Sequence, residues 1–378
     1  MVRMVTDLRA YRDAVGVKWV NGYQLLQDVG QGTFCTVKLA TTQNGSTHAI
    51  KRFARAALRS RMVAKYDAAG VTTVPFEECL EGEIRILEQL AHPHIVQLQE
   101  VIDCAASDSL YVIYEGLPGG QLMEWREGSQ AYSSSTTAAV AQFWGDALGT
   151  EAVDLAADSR EVVVLQEELA RHFCLQLADG IAYMHDRGVI HKDLKPENLV
   201  LSKPIPRDAR FVSRLSLRNW PDLTGAVGTV SSVGKQTLQE LLVKAGLDVK
   251  IADFNSAVAC EEPDCLIYDA QGTQQFTPPE CFINTDAGVL GKPRDMWSLG
   301  CVLFVMAFGH CPFWADTNIE LQMQVITAEL SLPDGGPGST EFRRLITALL
   351  GRGPATRPNA RALLLSPWLT SPRAMLGG

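Results

Sequence analysis

Three side chains that could take part in catalysis or bind a metal ion lie close together in residues 191–200, HKDLKPENLV. Asp193 offers a carboxylate that can accept the proton of an incoming hydroxyl group. Lys195 can neutralise the charge of a transferring phosphoryl group, and Asn198 offers an amide oxygen of the kind that hard cations bind. An exposed charged loop would also explain these residues, but this set of types at this spacing favours metal-assisted phosphoryl transfer.

A second oxygen ligand occurs in residues 250–255, KIADFN. Asp253 follows a short strand pattern, at whose end its carboxylate would hold a Mg²⁺ ion that bridges phosphate groups. The sequence therefore predicts Asn198 and Asp253 as metal ligands.

A glycine-containing turn lies near the N-terminus, in VGQGTFCTV. Gly30 and Gly32 are flanked by strand patterns that contain Val29 and Val37, and glycines let backbone N–H groups approach phosphate oxygens. Most Gly-x-Gly pairs are simply turns. The interpretation as a phosphate-binding turn therefore needs a cation nearby that can also bind the phosphates.

Lys51 occurs one strand later, in HAIK. It can pair with the α- and β-phosphates of a nucleotide if an acidic residue holds it in place, and Glu83 on the next predicted helix is a suitable partner. Without that pairing, Lys51 would be a surface lysine and Glu83 part of a solvated helix face.

Short strand patterns surround one amphipathic helix, and from Gln166 onward the pattern is helical. This order predicts an α+β protein with a small antiparallel β lobe (residues 20–117) and a larger, mainly α lobe (residues 118–372). Residues 1–19 would form an N-terminal extension. Two stretches, about 127–164 and 202–247, exceed usual connection lengths and are predicted to be appended surface segments or disorder.

Composition excludes some classes of function. The net charge of −9 leaves no basic footprint for nucleic acid. The most apolar run, residues 299–313, is broken by glycine and proline, which predicts a buried helix and no membrane segment. Nine cysteines without a Cys-x-x-Cys pair indicate reduced thiols in a cytoplasmic protein. Cys260 and Cys265 could be two zinc ligands, but no second pair or nearby histidine completes the site.

Together, these segments resemble the eukaryotic protein kinase family over about residues 20–370. The resemblance implies a two-lobed kinase fold, ATP and Mg²⁺ as cofactors, and protein hydroxyls as substrates. It also implies that Tyr114 is the gatekeeper and that the backbone of Glu115 and Leu117 faces adenine. The matching residues are Gly30, Gly32, Val37, Ala49, Lys51, Glu83, His191, Asp193, Lys195, Asn198, Asp253, Glu280 and Arg357, with Val29 and Val200 completing the nucleotide site.

The Lys-Pro-Glu-Asn sequence at residues 195–198 resembles the Ser/Thr-specific branch, in which Thr273 would contact Asp193 and Lys195. Several stretches, among them EIRILEQLAHPHIVQLQEVID and LMEW, are most similar to the calcium/calmodulin-dependent protein kinase kinases. That similarity implies that activation loops of other kinases are among the substrates. We expect a monomer, and we expect no calmodulin binding in cis because no basic amphipathic tail follows the last helix.

Several positions depart from the family pattern: Cys35 and Asn255 replace glycines, and Lys192 replaces the arginine that would grip an activation-loop phosphate. Ala270 occupies the place of the phosphorylatable threonine. The agreement between Lys192 and Ala270 predicts an activation segment that is held without phosphorylation. Because every charged group of the chemistry remains, we expect an active kinase; the alternative is a pseudokinase scaffold or allosteric binding module.

Overall fold

The computed structural model describes most of both predicted lobes. The described residues are 2–31, 35–126, 131–134, 161–205, 212–216, 246–260, 265–283, 287–332 and 338–370. Gly32 of the predicted phosphate-binding turn and most of the two predicted inserts lie outside them.

The first lobe contains ten strands and two helices. The strands are β1 (Arg3–Val5), β2 (Ala10–Arg12), β3 (Lys18–Val20), β4 (Tyr23–Gln31), β5 (Cys35–Thr42), β6 (Thr47–Ala54), β7 (Met62–Asp67), β8 (Gly70–Pro75), β9 (Leu98–Ile102) and β10 (Ser109–Glu115). Eight of them form one sheet in the order β1-β9-β10-β6-β5-β4-β3-β2, and β7 and β8 form a separate hairpin.

Residues 1–19, predicted as an extension, contribute strands to both edges of this sheet. At one edge β1 pairs with β9 in parallel, with Met4 opposite Val101. At the other edge β2 pairs with β3, which in turn pairs with β4, both antiparallel. The N-terminal segment therefore supplies the strands at both edges of the sheet in the first lobe.

The helices of the first lobe are α1 (Arg55–Ser60) and α2 (Phe76–Gln89). Glu77 and Glu78 lie in the first turn of α2, where negative charge favours the helix dipole. Apolar residues at spacings of three to four, including Leu80 and Leu87, bury one face against the sheet. Glu83 lies on this buried face, so the helix places a carboxylate inside the protein.

The second lobe is mainly helical. Its helices are α3 (Glu167–Asp186), α4 (Glu280–Ile283), α5 (Gly291–Phe308), α6 (Asn318–Thr327), α7 (Thr340–Leu349), α8 (Ala360–Leu364) and α9 (Pro367–Thr370). Its short strands are β11 (Gly120–Gln121), β12 (Met123–Arg126), β13 (Ala131–Ser134), β14 (Glu161–Leu165), β15 (Val189–Ile190), β16 (Leu199–Leu201), β17 (Val212–Ser216), β18 (Val249–Ile251), β19 (Val258–Ala259), β20 (Leu266–Ile267) and β21 (Val289–Leu290). The two lobes confirm the predicted α+β fold.

The predicted buried helix is α5, whose side chains are buried on nearly every face. It ends at Gly309, which has a φ of 75° that glycine adopts without strain. In the part of the chain that the structure describes, no helix is long and apolar enough to cross a membrane.

The described parts of the two inserts pair with their surroundings. The strand β13 pairs with β12, and β14 from the first insert pairs antiparallel with β17 from the second. These segments form strands, whereas the length of the inserts predicted appended surface segments or disorder.

A buried ion pair connects α4 to the loop before α8. Arg357 Nη2 lies 2.7 Å from Glu280 Oε2, and Arg357 Nη1 contacts Glu280 Oε1. Both side chains are buried, and the guanidinium lies 4.9 Å from the centre of the Trp297 ring. Glu280 and Arg357, which both match the family pattern, therefore form a buried ion pair.

The cysteines depart from the expectation that all thiols are reduced. Cys260 and Cys265 form a disulfide, with their Cα atoms 5.5 Å apart, whereas the other seven cysteines form none. One of the pair directly follows β19 and the other directly precedes β20. Among the described residues, no group of three or more potential ligands could hold a metal ion through histidine, cysteine or carboxylate side chains.

Candidate active site

Asp193 lies at the centre of a buried hydrogen-bond network. Its Oδ1 atom accepts hydrogen bonds from both the backbone N–H and the hydroxyl of Thr273, each at 2.8 Å. Its Oδ2 atom lies 3.0 Å from Lys195 Nζ, and Lys195 Nζ also donates to Thr273 Oγ1 at 2.7 Å. The structure thus brings together the three residues that the sequence predicted to meet, and it fixes the carboxylate in one orientation.

Asn198 and Asp253 lie at the same end of the β16–β18 ribbon. The two strands pair antiparallel, and the N–H of Ala252 donates to the carbonyl of Asn198 at 2.8 Å. Asn198 Nδ2 donates to the backbone carbonyl and to Oδ2 of Asp193, at 2.8 and 3.0 Å. Because the amide nitrogen makes both of these bonds, the amide oxygen is the atom that suits a hard cation. An Asn oxygen and an Asp carboxylate form a donor set that fits a divalent metal.

Lys51 connects the two lobes. Its Nζ atom lies 3.3 Å from Glu83 Oε1 on α2 and 2.8 Å from Asp253 Oδ1 in the second lobe. Burial alone would lower the pKa of Lys51, but Glu83, Tyr114 and Asp253 raise it well above its usual value. Burial would likewise raise the pKa of Asp253, yet Lys51 holds it below the usual value. Lys51 and Asp253 are therefore both charged, as they must be to bind phosphate groups and a metal ion.

The gatekeeper hydroxyl is a member of this cluster that the sequence did not reveal. Tyr114 is buried, and its hydroxyl donates to Glu83 Oε1 at 2.9 Å, the same oxygen that contacts Lys51. The Lys51 ammonium lies 5.3 Å from the centre of the Tyr114 ring. Tyr114 therefore holds the Glu83 carboxylate in place beside Lys51.

Replacement of Lys51 by methionine is expected to lower kcat/KM by about 10²-fold, because a preorganised charge is lost. The change leaves Glu83 and Asp253 without their shared cation. Steady-state phosphoryl transfer measures the loss. Lys38→Met is the matched control, since Lys38 lies on the neighbouring strand β5 and pairs with the exposed Asp28. Equal activity in both variants would contradict the role of Lys51.

The predicted adenine-facing residues lie where the two lobes join. The N–H of Glu115 donates to Gln97 O at 3.0 Å, and the carbonyl of Leu117 accepts from the N–H of Gly120 at 3.3 Å. The N–H of Glu115 and the carbonyl of Leu117 are therefore engaged within the protein and are not the groups that would meet a base. The predicted apolar residues lie on the surrounding strands: Val29 on β4, Val37 on β5, Ala49 on β6 and Val200 on β16.

Gly30 pairs with Val37 in the β4–β5 register. A Cβ atom at Gly30 would lie 3.8 Å from Val37 Cβ, an ordinary contact. Packing within the sheet therefore does not require glycine at this position.

The family model described as Protein kinase domain matches residues 23–369. The chain belongs to the protein kinase family. It is 27% identical to the serine/threonine-protein kinase GRIK2 of Arabidopsis thaliana, over 97% of this chain and 70% of that protein. It is 26% identical to the serine/threonine-protein kinase ssp1 of Schizosaccharomyces pombe, over 93% of this chain and 43% of that protein. It is 27% identical to CBL-interacting protein kinase 31 of rice, Oryza sativa subsp. japonica, over 95% of this chain and 61% of that protein.

The family match and the names of these relatives support a protein serine/threonine kinase, and use of ATP and a divalent metal ion is general to the family. The likeness to relatives of several kinase groups does not single out the calcium/calmodulin-dependent protein kinase kinases.

Asp253, the predicted metal ligand, is followed by a residue that packs beneath the site. Phe254 is buried and makes an edge-on contact with His191, with ring centres 4.9 Å apart. His191 also bonds the carbonyl of Ala252 at 3.0 Å. Leu87 of α2 belongs to the same buried cluster as Phe254.

Asn255 replaces a glycine of the family pattern, and a replaced glycine suggests a position with positive φ. In this turn, however, the residue with positive φ is Asp253, at 63°, and not Asn255. Asn255 lies in the short 3₁₀ turn Phe254–Ser256. An ordinary side chain therefore fits at position 255, and its amide lies 3.4 Å from Asp253 Oδ2.

Asp295 is a further positioning residue, which the sequence placed only in a buried helix. Its Oδ1 accepts from the N–H of Lys192 and its Oδ2 from the N–H of His191, each at 2.9 Å. His185 bonds the same Oδ2 atom at 3.0 Å, and these bonds hold the pKa of Asp295 below its usual value despite burial. A carboxylate at the start of a mostly apolar buried helix was the available signal, because such a group must find partners.

Proposed function

We propose that this kinase is catalytically active and transfers the γ-phosphoryl group of ATP, as its Mg²⁺ complex, to serine or threonine hydroxyls of proteins. The supporting observation is the assembled state of the charged groups. Asp193 is held by Thr273 and Lys195 while Lys51 pairs with both Glu83 and Asp253. No separate rearrangement is needed to bring these groups together.

In this proposal Asp193 accepts and orients the substrate hydroxyl and receives its proton as the oxygen attacks phosphorus. Lys195 lies 3.0 Å from Asp193 and supplies positive charge beside the transferring group. Thr273 fixes the rotation of the carboxylate through two hydrogen bonds. A precise carboxylate position matters because small displacements of reacting groups cost large factors in rate.

Asn198 and Asp253 would hold the metal, which when bound neutralises phosphate charge. Lys51 would pair with the nonreacting phosphates, and the backbone near Gly30 and Gly32 would approach them. Gly30 supports this assignment because its own sheet tolerates a Cβ atom there. The absence of a side chain at Gly30 would then serve the close approach of a bound phosphate to the backbone.

The pseudokinase alternative has no specific observation in its favour. A scaffold would not need Asp193, Lys195, Asn198 and Asp253 gathered at one site. The replacements Cys35 and Asn255 remove no charged group.

We further propose that the substrates include activation loops of other protein kinases. The support is the similarity of residues 83–103 and 122–125 to the calcium/calmodulin-dependent protein kinase kinases. The proposal concerns recognition of a folded kinase, not of a short basic peptide.

The test uses the purified chain with radiolabelled ATP and Mg²⁺. The substrate is an AMP-activated-type kinase domain inactivated at its own catalytic aspartate, and the control is the same domain with its activation-loop threonine changed to alanine. We expect label only on the intact loop, mapped by mass spectrometry. Label on a generic protein but not on the loop would contradict the substrate proposal, and no label on any protein would contradict activity.

A further inference from the structure

Three charged side chains meet beneath the activation segment, and all are buried. Lys192 of the catalytic loop, Asp269 of the activation segment and Arg294 of α5 are 4%, 6% and 0% exposed. Lys192 Nζ lies 2.7 Å from Asp269 Oδ2, and Arg294 Nη1 lies 3.5 Å from Asp269 Oδ1. Asp269 is thus an anion shared by two buried cations from two other elements.

The backbone around Asp269 is held by the same groups. Arg294 Nη1 donates to the carbonyl of Asp269 at 2.8 Å, and Arg294 Nη2 donates to the carbonyl of Gln271. The N–H of Gln271 donates to Asp269 Oδ1 at 2.9 Å. These bonds fix residues 269–271 against the second lobe.

The fixed segment leads directly to the catalytic carboxylate. Gly272 comes next, with a φ of 117°, and a Cβ atom there would lie 2.8 Å from the carbonyl oxygen of Lys192. The residue after it is Thr273, which makes both hydrogen bonds to Asp193 Oδ1. A short, tightly held stretch of chain therefore connects Asp269 to the threonine that orients the catalytic group.

The segment also reaches the first lobe. Gln271 Nε2 donates to the carbonyl of Ala64 in β7 at 2.9 Å. The position of residue 271 is therefore linked to both lobes, and Asp269 helps to determine that position through its bond to the Gln271 N–H.

The negative charge of Asp269 offsets the positive charges of Lys192 and Arg294. Burial lowers the pKa of Lys192 and Asp269 opposes this shift. Without Asp269, Lys192 and Arg294 would face each other as two buried cations, an arrangement with a large desolvation penalty. Ala270, by contrast, is exposed and carries no hydroxyl.

We propose that Asp269 is a positioning residue that supplies permanently the negative charge which phosphorylation supplies in other kinase activation segments. Through Lys192 and Arg294 it holds Thr273 against Asp193. The inference rests on the proposed kinase activity and adds to it a reason why no phosphate is needed.

The experiment compares the full chain before and after treatment with a broad-specificity phosphatase, with complete dephosphorylation verified by mass spectrometry. We expect the dephosphorylated wild type to keep its kcat. We expect Asp269→Asn to lower kcat by between about 10- and 100-fold, as a displaced catalytic group does, with the Kd for Mg-ATP little changed. Unchanged Mg-ATP binding distinguishes loss of positioning from loss of folding.

A double variant tests whether Asp269 and Lys192 act as one unit. Asp269→Asn and Lys192→Met should each lower kcat, and the double variant should lose little more than the worse single variant. Lys192→Arg, which keeps the charge, should retain most of the activity. If Asp269→Asn fails to fold, the double variant, which removes both charges of the pair, takes its place with the same expected loss. Asp186→Asn, a change in an exposed ion pair with Arg361, is the control.

Three results would overturn the inference: loss of turnover on dephosphorylation of an active wild type, full activity in Asp269→Asn, or losses that multiply in the double variant. A wild type that shows no turnover even before phosphatase treatment would instead contradict the kinase activity and, with it, the inference.

Discussion

Asp193→Asn is expected to lower kcat by about 10²–10⁴-fold, the range for removal of a general base. Asparagine has the same shape, and its amide oxygen can keep both hydrogen bonds from Thr273. Its amide nitrogen cannot accept from Asn198 as Oδ2 does, but Asn198 keeps its bond to the backbone carbonyl of residue 193, so the fold should persist. What it lacks is a site that can accept the substrate proton. Initial rates of phosphorylation of the inactivated kinase-domain substrate give kcat, and calorimetry should show Mg-ATP binding close to that of the wild type.

The control for this variant is Asp103→Asn. Asp103 is a half-exposed carboxylate that pairs with Arg55 at the edge of the first lobe, away from the network around Asp193. Its replacement should leave kcat within about twofold of the wild-type value, as for most surface changes. An Asp193→Asn enzyme as fast as the control would refute the assignment of Asp193 as the catalytic carboxylate.

Glu280→Gln is expected to lower the free energy of unfolding by about 3–5 kcal/mol, the cost of breaking a buried ion pair from one side. Arg357 would keep its charge in a buried position against Trp297, with only neutral partners. Urea unfolding followed by both circular dichroism and tryptophan fluorescence measures the change. The two probes should shift together if the second lobe unfolds as a unit.

Asp186→Asn again provides the comparison, because the Asp186–Arg361 pair is an ion pair of the same type on the surface. Exposed pairs are screened by water and salt, so this change should produce no measurable shift in the urea midpoint. A Glu280→Gln midpoint equal to that of Asp186→Asn would mean that the buried pair contributes nothing to the stability of the second lobe.

The candidate catalytic residues and metal ligands were predictable from the sequence because their residue types and local spacing are characteristic. Asp193, Lys195 and Asn198 occur within a single short loop, and Asp253 comes after a recognisable strand. The pairing of Lys51 with Glu83, which lie 32 residues apart, could be predicted because a strand and a helix present them with few alternative partners.

Residues that act through other residues were not predictable in the same way. The hydroxyl of Tyr114 meets Glu83 only because β10 lies beside α2, and Asp269 meets Arg294 only because the activation segment folds over the start of α5. Nothing in the local sequence of either residue indicates its partner. Such contacts depend on tertiary packing.

The hairpin of β7 and β8 was missed for a different reason. Residues 62–75, MVAKYDAAGVTTVP, carry β-branched residues on both sides of Gly70, a pattern typical of a hairpin. Basic residues before and within this stretch, such as Arg59, Arg61 and Lys65, obscure the strand pattern. The strands β1 to β3, by contrast, contain three residues each, too few to be recognised without the sheet that they join.

The placement of β1 to β3 bears on how this kinase should be produced. A truncation that starts at residue 23, where the family match begins, would remove all three strands. It would uncover the backbone of β9 on one side and of β4 on the other, together with apolar residues that Val5 and Leu8 now cover. Unpaired edge strands with apolar faces are templates for aggregation. The first twenty residues therefore act as a built-in solubility element, and a shortened kinase domain is expected to precipitate where the full chain stays monodisperse.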